Sequence, residues 1–227
     1  MDTPVGDVDL SRQLAHEIQA PLTSLELQLR KLSEQRPESE LVADCLDEIA
    51  SLKRLVTSFL ELGTPEPPEL TPSALELAPV FHSVEKRFRP IAAARNVKLQ
   101  MDYGSVSAVF DARATERILA NLVDNAIKFS RDRGTVHVFA RARVSNGSVE
   151  LEVRDEGIGI ATEARALIFK PFYRVNREVG REVGREVTGF GLGLAISKRL
   201  AEAQRGSLHC KSDLGRGSSF ILTLPAT

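Results

Sequence analysis

One stretch of the sequence carries amide and ammonium side chains at helical spacing. In the segment NLVDNAIKF, residues 121–129, the polar residues Asn121, Asn125 and Lys128 lie three or four positions apart and therefore share one helix face. Amide oxygens are hard ligands of the kind that Mg²⁺ prefers, and an ammonium group beside them balances phosphate charge. The pattern is typical of a site for metal-bound phosphates, although a solvated helix face would have the same spacing.

Two glycine-containing segments offer a complementary chemistry. In DEGIGI, residues 155–160, the glycines allow a tight turn and Asp155 can accept a hydrogen bond from an exocyclic amine. In GFGLGLAI, residues 189–196, alternating glycines precede a helix whose first backbone N–H groups are free to bind an anion. By itself, each segment is also typical of an ordinary turn or helix start. The second differs from the dinucleotide-binding fingerprint because no βαβ unit follows it.

The segment HEIQAPL, residues 16–22, places a histidine next to a glutamate within a helical pattern. A neutral imidazole nitrogen is a good nucleophile near physiological pH, and Glu17 can orient the ring of His16 or take its proton. Pro21 predicts a kink, because it removes a backbone donor and clashes with the carbonyl group of Glu17. A single histidine on a helix is more often structural, so this segment suggests chemistry only in combination with the others.

Apolar residues near the N-terminus have the spacing of a helical hairpin. They recur three or four positions apart over residues 14–32 and again over residues 42–59, with a break around Pro37. Two helices joined by a short turn form an antiparallel hairpin, whose core is too small to be stable alone. We therefore expect two copies of residues 1–62 to pair into a dimeric four-helix bundle.

A proline-rich segment separates this hairpin from a second unit. Residues 63–72, GTPEPPELTP, contain four prolines and are typical of a semi-rigid linker. Over residues 73–227 the patterns predict an α/β sandwich with an antiparallel or mixed sheet, which makes the whole chain α+β. In chain order we predict a helix at 79–94, strands at 97–103 and 107–110, a helix at 112–129, strands at 135–144 and 148–154, a helix at 190–203, and strands at 207–211 and 218–224.

The composition argues against several classes of protein. A formal net charge of -1 gives no sustained electrostatic attraction for nucleic acid. Cys45 and Cys210 lie too far apart in the sequence to suggest a disulfide framework or a zinc site, which suits a reducing compartment. No signal peptide and no run of about 18 apolar residues is present, so we expect a chain without a membrane segment. The repeated REVG unit in residues 177–187 is assigned no function.

Five ordered segments resemble the motifs of a known family. Four of them resemble the successive nucleotide-binding boxes of the GHKL ATPases, at residues 121–129, 155–159, 169–174 (FKPFYR) and 189–193. The fifth, residues 16–22, resembles the phosphoacceptor box of sensor histidine kinases. The resemblance extends from about residue 10 to residue 225 and implies a Bergerat-like ATP-binding domain behind a phosphoacceptor hairpin. It also implies that the chain is a protein-histidine kinase of two-component signalling.

The resemblance assigns roles at the phosphate end of the site. It implies that Asn125 binds Mg²⁺, that Asn121 lies beside the phosphates and that Lys128 contacts them. Arg174 would either reach the γ-phosphate or be a solvated arginine in a hydrophobic hinge. Three glycines would wrap the triphosphate of ATP at the base of a mobile lid: Gly189, Gly191 and Gly193.

At the other end of the site, the resemblance implies that Asp155 binds the adenine amine in a pocket shaped by Gly157 and Gly159. His16 would be the residue that is phosphorylated, with Glu17 as its catalytic neighbour. The implied partners are a second copy of the chain and the receiver domain of a response regulator, whose aspartate takes the phosphoryl group. We expect a cytoplasmic chain, which includes the case of a cytoplasmic portion of a larger membrane-bound sensor.

Two residues depart from the family pattern. Gln19 occupies a position where a basic residue is common, and Ala20 occupies one where Thr or Asn is usual. In the family, that polar residue is thought to position the water that removes phosphate from the partner. We therefore expect weak or absent phosphatase activity.

Two other functions also fit the sequence. One is a GHKL-type ATPase or protein-serine kinase in which the hairpin only dimerises. The other is a non-catalytic scaffold with a vestigial nucleotide fold. The second is disfavoured because Asn125, Asp155 and the glycine segments are intact.

Overall fold

In the computed structural model, the chain divides into two compact units, Met1–Glu66 and Pro67–Thr227. The structure describes residues 5–35, 39–64, 67–143, 147–175 and 189–226; in the first helix it describes the side chains of residues 18, 19 and 21–34. The division falls inside the segment that the sequence predicts as a linker. The REVG repeat and the end of the strand predicted at 135–144 lie outside the described residues.

The first unit is a hairpin of two helices, α1 (Val5–Gln35) and α2 (Glu40–Gly63). Pro21 lies inside α1, so the kink predicted there does not end the helix. Val42 and Ile49 are buried on α2, in agreement with the predicted stripe. None of the described helices is long and apolar enough to cross a bilayer.

Many apolar side chains of this hairpin remain exposed within a single chain. The exposed residues are Ile18, Leu25, Leu27, Leu32, Leu41, Leu52 and Phe59. An apolar surface of this extent on a two-helix unit is the surface expected to be covered by a second hairpin.

The second unit contains three helices and seven strands among its described residues. Their bounds are β1 (Ser73–Glu76), α3 (Ala78–Ala94), β2 (Lys98–Asp102), β3 (Ser107–Phe110), α4 (Ala112–Phe129), β4 (Thr135–Arg143), β5 (Ser148–Asp155), α5 (Gly193–Ala203), β6 (Ser207–Ser212) and β7 (Ser218–Pro225). Short 3₁₀ turns at Thr162–Ala164 and Leu167–Phe169, and strand β1, were not predicted. All four side chains of β1 are exposed, so no alternation marks it as a strand.

The main sheet has the strand order β2-β4-β5-β7-β6. Strands β2 and β4 are parallel and the other neighbours are antiparallel, which confirms the mixed sheet. Side chains alternate along β5, where Leu151 and Val153 are fully buried while Glu150 and Glu152 are half-buried. A separate two-stranded ribbon pairs β1 with β3.

Helix α4 has a buried stripe and a polar flank. Its buried side chains include Ile118, Leu119, Leu122, Val123, Ala126 and Ile127. Asp111 caps its N-terminus by accepting a hydrogen bond from the Ala114 N–H at 2.8 Å. Backbone hydrogen bonds from Ala114 and then Thr71 hold the pKa of Asp111 below its usual value. Because the apolar stripe faces the core, the polar residues Asn121, Asn125 and Lys128 are left half-buried at its edge.

Candidate active site

The polar flank of α4 contains one amide that is available to a ligand. Within the described part of the chain, Asn125 has no hydrogen-bond partner, whereas Lys128 donates to the Asp124 carboxylate at 2.5 Å. No cluster of three or more His, Cys, Asp or Glu side chains among the described residues is suited to a metal. Mg²⁺ is commonly held by one or two protein ligands together with phosphates and water. The Asn125 amide oxygen therefore fits Mg²⁺ that arrives with a nucleotide.

Asn121 connects α4 to the start of α5. Its Nδ2 donates to the Ser197 hydroxyl at 3.0 Å. Its Oδ1 lies so close to Gly193 that a Cβ at Gly193 would overlap it. Asn121 therefore lies beside the first turn of the helix that follows the glycine segment.

The first turn of α5 has the properties of an anion-binding helix start. The first hydrogen bond of this helix runs from the Ile196 N–H to the Leu192 carbonyl at 3.0 Å. Backbone N–H groups at residues 193–195 consequently lack acceptors within the helix. These donors and the helix dipole favour negative charge at this end.

The glycine segment is packed against the segment FKPFYR. The Phe172 N–H donates to the Gly191 carbonyl at 2.9 Å. Gly191 has a φ of +72°, and a Cβ there would lie 2.8 Å from the Tyr173 carbonyl oxygen. Arg174 and Gly189 are exposed next to this contact, and residues 176–188 between them lie outside the described part. Both interpretations of Arg174, as a phosphate ligand or as a solvated hinge residue, stay predictions.

Asp155 is a buried carboxylate at the end of β5 and is only 5% exposed. Its Oδ1 accepts hydrogen bonds from the backbone N–H groups of Gly157 at 2.8 Å and Ser218 at 3.2 Å. Since both fall on Oδ1, Oδ2 is left to accept a hydrogen bond from a ligand. Burial raises the pKa of Asp155 to about 6, against the opposing effect of the two backbone hydrogen bonds.

The loop after Asp155 is fastened to the turn between β6 and β7. The Gly215 N–H donates to the Ile158 carbonyl at 2.6 Å. The Ile160 N–H donates to the Ser212 hydroxyl at 2.8 Å, and this hydroxyl lies 2.7 Å from the Gly217 carbonyl oxygen. These contacts hold the turn against the Asp155 loop, where it would form one wall of a pocket for adenine.

Sequence reasoning missed the residues of this wall. Ser212, Gly217 and Ser218 lie about sixty residues after Asp155 in the sequence. The glycines of GRGSS indicate a tight turn, but a turn pattern does not say which strand lies beside it. The pairing of β5 with β7 brings Ser218 to the Asp155 carboxylate.

Helix α4 is the element that brings the predicted segments together. At its C-terminal end, Ser130 forms a β-bridge with Gly157, and the Ile158 N–H lies 3.4 Å from the Phe129 carbonyl oxygen. Nearer its middle, Asn121 contacts α5 as described above. The amide face, the Asp155 loop and the glycine segment therefore border a common site.

His16 and Glu17 belong to the other unit. Both residues lie within α1, and their side chains, like that of Ala20, are outside the described part of the chain. Gln19 is described, and its Nε2 donates to the Thr57 hydroxyl of α2 at 3.3 Å. The catalytic roles of His16 and Glu17 stay predictions.

The raised pKa of Asp155 predicts a pH dependence of adenosine binding. Because Oδ1 accepts two backbone hydrogen bonds, a proton on this carboxyl group would reside on Oδ2 and face the amine of adenine, so that two donors oppose each other. With a pKa of about 6, affinity is expected to fall about tenfold from pH 7.5 to pH 5. Adenosine avoids the titration of phosphate groups, and calorimetry or competition measures its affinity.

The raised pKa of Asp155 affects folding stability in the opposite direction from adenosine binding: a lower pH weakens binding but favours the folded state. The folded chain holds the Asp155 proton up to a pH of about 6, whereas the unfolded chain holds it only up to about 3.8. The contribution of the protonated Asp155 to stability is therefore fully present below pH 3.8 and is lost as the pH rises through 6.

An adenosine affinity that does not change between pH 5 and pH 7.5 would contradict the role of Asp155 as the hydrogen-bond acceptor for adenine.

Gly159 predicts a steric requirement in this pocket. It has a φ of +70°, and a Cβ there would overlap the Asp213 carbonyl oxygen. Gly159→Ala therefore combines backbone strain with a clash between the new methyl group and the Asp213 carbonyl oxygen. We expect it to lower the free energy of unfolding in urea by more than about 2 kcal/mol and to weaken adenosine binding.

Gly104→Ala is the matched control. Gly104 also has a positive φ, +50°, but a Cβ there would meet no heavy atom within 4 Å. The free energy of unfolding of this variant should fall by only about 1 kcal/mol, and its adenosine affinity should be unchanged. Equal losses in the two variants would mean that the contact with Asp213 is unimportant.

Comparison with known proteins identifies the family of this chain. The family model described as "Histidine kinase-, DNA gyrase B-, and HSP90-like ATPase" matches residues 110–227. The adaptive-response sensory kinase SasA of Parasynechococcus marenigrum is 32% identical over 223 residues, which cover 95% of this chain and 56% of SasA. The sensor histidine kinase CusS of Escherichia coli is 32% identical over 224 residues, which cover 96% of this chain and 45% of CusS.

Two solved structures are also similar to this chain. Full-length ShkA in complex with AMPPNP is similar with a TM-score of 0.80 and 28% identity, over 96% of this chain and 45% of ShkA. The Acinetobacter baumannii histidine kinase AdeS has a TM-score of 0.68 at 24% identity, over 93% of this chain and 98% of AdeS, and shows the shared fold alone. The chain spans about half the length of the curated relatives above. The chain belongs to the family of histidine kinase-, DNA gyrase B- and HSP90-like ATPases, and along nearly its whole length it is similar to sensor histidine kinases.

Proposed function

We propose that this chain is the catalytic core of a homodimeric sensor histidine kinase. It uses ATP with Mg²⁺ to phosphorylate His16 and then passes the phosphoryl group to an aspartate of a response-regulator receiver domain. The main support is the arrangement around α4, which joins the buried Asp155 to the open first turn of α5 in a chain that also carries a histidine on a helical hairpin. The AMPPNP bound to ShkA, an ATP analogue, supports the choice of nucleotide.

At the adenine end, Asp155 acts through its geometry. Its Oδ2 accepts the hydrogen bond from the exocyclic amine, because Oδ1 is already bonded to two backbone N–H groups. Gly157 and Gly159 lack side chains where a Cβ would meet the Asp155 carboxylate or the Asp213 backbone. These glycines keep the loop close enough to α4 and to the β6–β7 turn to form the pocket.

At the phosphate end, backbone N–H groups of the first turn of α5 donate to phosphate oxygens. Asn125 would hold Mg²⁺ through its amide oxygen, and the charge of the ion would offset the charge that develops on the phosphates during transfer. Lys128 exchanges its hydrogen bond with Asp124 for a phosphate oxygen. Gly189, Gly191 and Gly193 allow the backbone to approach the triphosphate closely.

His16 performs the transfer. An imidazole nitrogen attacks the γ-phosphorus, the bond from that phosphorus to the β–γ bridging oxygen breaks, and ADP leaves with the electron pair. Glu17 takes the proton that the phosphorylated ring releases. The carboxylate of the receiver aspartate then attacks the same phosphorus, the bond from phosphorus to the ring nitrogen breaks, and the ring takes back a proton, which restores neutral His16. Because the transition state is loose, positioning and charge neutralisation contribute most of the rate.

Labelling with γ-labelled ATP and Mg²⁺ tests this proposal. A phosphohistidine is expected, so the label should be labile in acid and stable in alkali. Acid-stable label, or bulk hydrolysis without labelling, would favour the alternative of a GHKL-type ATPase or protein-serine kinase. Absence of nucleotide binding in calorimetry would favour the scaffold.

The proposed site also predicts weak phosphatase activity. Ala20 has no polar group with which to position water for attack on a phosphorylated aspartate. A phosphorylated receiver mixed with this chain and ADP should lose phosphate only by transfer back to His16. Rapid release of inorganic phosphate would contradict this expectation.

We place the chain in the cytoplasm, as a core that can form part of a larger membrane-bound sensor.

A further inference from the structure

Helices α4 and α5 are joined by side-chain hydrogen bonds at both ends of their contact. At the N-terminal end of α5, Asn121 Nδ2 donates to the Ser197 hydroxyl at 3.0 Å. At the C-terminal end, the Thr115 hydroxyl lies 3.2 Å from Oε1 of Gln204, the capping residue that directly follows α5. Ser197 is 2% exposed and Thr115 is fully buried, so both hydroxyls are shielded from water.

The Asn121 amide contacts two residues that lie one turn apart on α5. Its nitrogen is bonded to Ser197, and its oxygen lies against Gly193, where a side chain would overlap it. Gly193 is the first residue of α5, and its N–H is one of the donors without an intrahelical acceptor. The orientation of one amide therefore sets how this first turn rests on α4.

The proposed metal ligand, Asn125, lies on α4 close to the contact between Asn121 and α5. Asn125 lies one turn beyond Asn121 on α4, so the two amides occupy the same helix flank. The distance between a metal bound at Asn125 and the N–H donors of α5 depends on how α4 and α5 are docked. Phosphoryl transfer is sensitive to such distances, because misplacement by about 1 Å can cost two orders of magnitude in rate.

We propose that Ser197 is a positioning residue for phosphoryl transfer. Its hydroxyl holds the Asn121 amide, which in turn holds the first turn of α5 and its phosphate-binding N–H groups in register with Asn125. This inference rests on the proposed function, and it gives Asn121 a second role beside any direct contact with phosphate. Ser197 itself need not touch the nucleotide.

The Ser197→Ala variant of the full chain tests this role when its affinity for ATP, which has phosphates, is compared with its affinity for adenosine, which has none. Its affinity for ATP with Mg²⁺ should fall about five- to tenfold, the effect of one buried hydrogen bond, while its affinity for adenosine stays unchanged. Ser197→Thr keeps the hydroxyl and should restore ATP binding. Calorimetry measures both ligands, and thermal melting shows that each variant is folded.

Thr115→Val is the matched control. It removes a buried hydroxyl between the same two helices, and Gln204 Oε1 still accepts a hydrogen bond from the Asp111 N–H at 2.7 Å. We expect Thr115→Val to lower the melting temperature as much as Ser197→Ala does. Unlike Ser197→Ala, it should leave the ratio of ATP affinity to adenosine affinity unchanged. An equal loss of ATP affinity in both variants would mean that Ser197 is merely structural and would overturn the inference.

A double-mutant cycle with Asn121→Ala provides the second measurement. If Ser197 acts through Asn121, adding Ser197→Ala to Asn121→Ala should change ATP affinity by less than about twofold. Additive losses would show that the two residues act independently and would refute the inference. A wild-type chain that binds no nucleotide would refute the proposed function instead, so the two failures are distinguishable.

Discussion

His16→Gln is expected to abolish labelling by γ-labelled ATP while leaving nucleotide affinity unchanged. An amide nitrogen is not a nucleophile, so the loss should exceed about 10³-fold. Nucleotide binding should persist, because the residues proposed to bind nucleotide all lie in the second unit, Pro67–Thr227, and His16 lies in the first. Filter binding or gel autoradiography measures the label, and calorimetry measures the affinity.

His82→Gln is the control for this experiment. His82 is an exposed histidine on α3 and should keep full labelling when replaced. Label that persists in His16→Gln, or that disappears in His82→Gln, would contradict the assignment of His16 as the phosphoacceptor.

Asp155→Asn is expected to weaken ADP binding about 100-fold. The two backbone N–H groups that now bond to Oδ1 need an acceptor, so the amide oxygen of the new side chain would turn toward them. Its NH₂ group would then face the exocyclic amine of adenine, and two donors would oppose each other. Losing a hydrogen bond to a charged acceptor in a buried pocket costs about 3 kcal/mol, or about two orders of magnitude in affinity.

The same geometry predicts a change in base preference. An inosine nucleotide carries an acceptor oxygen where adenosine carries the amine, so Asp155→Asn should bind inosine diphosphate better relative to ADP than the wild-type chain does. Glu156→Gln is the matched control, since Glu156 is exposed and accepts its hydrogen bond from the Thr135 N–H. An unchanged preference in Asp155→Asn would show that this side chain does not read the base.

Periodicity predicted the elements that bury a continuous apolar stripe. Helix α4 was predicted with its exact bounds, because its leucines, valine and isoleucines recur every three or four residues. Strand β1 was missed because its four exposed side chains have no alternation. Helix α5 begins three residues later than predicted, at Gly193, because the preceding glycines adopt positive φ angles that a helix does not contain.

The candidate site was predicted where its residues are close in sequence. Asn121, Asn125 and Lys128 lie on one helix, so spacing alone places them on a common face. The glycine segment was predicted in the same way, from free N–H groups at a helix start. The partner of Lys128 was missed, although Asp124 lies four residues away, a spacing typical of ion pairs on helices.

Local patterns were thus enough to propose the chemistry of this protein: a histidine on a helix as the nucleophile, amides on a helix flank, and glycines before a helix. Three features instead depend on the folded chain. They are the single free oxygen of Asp155, the β6–β7 turn as a pocket wall, and the Asn121–Ser197 contact between α4 and α5. Each joins residues more than fifty positions apart, and such distances are set by strand order and helix packing, which a local pattern does not encode.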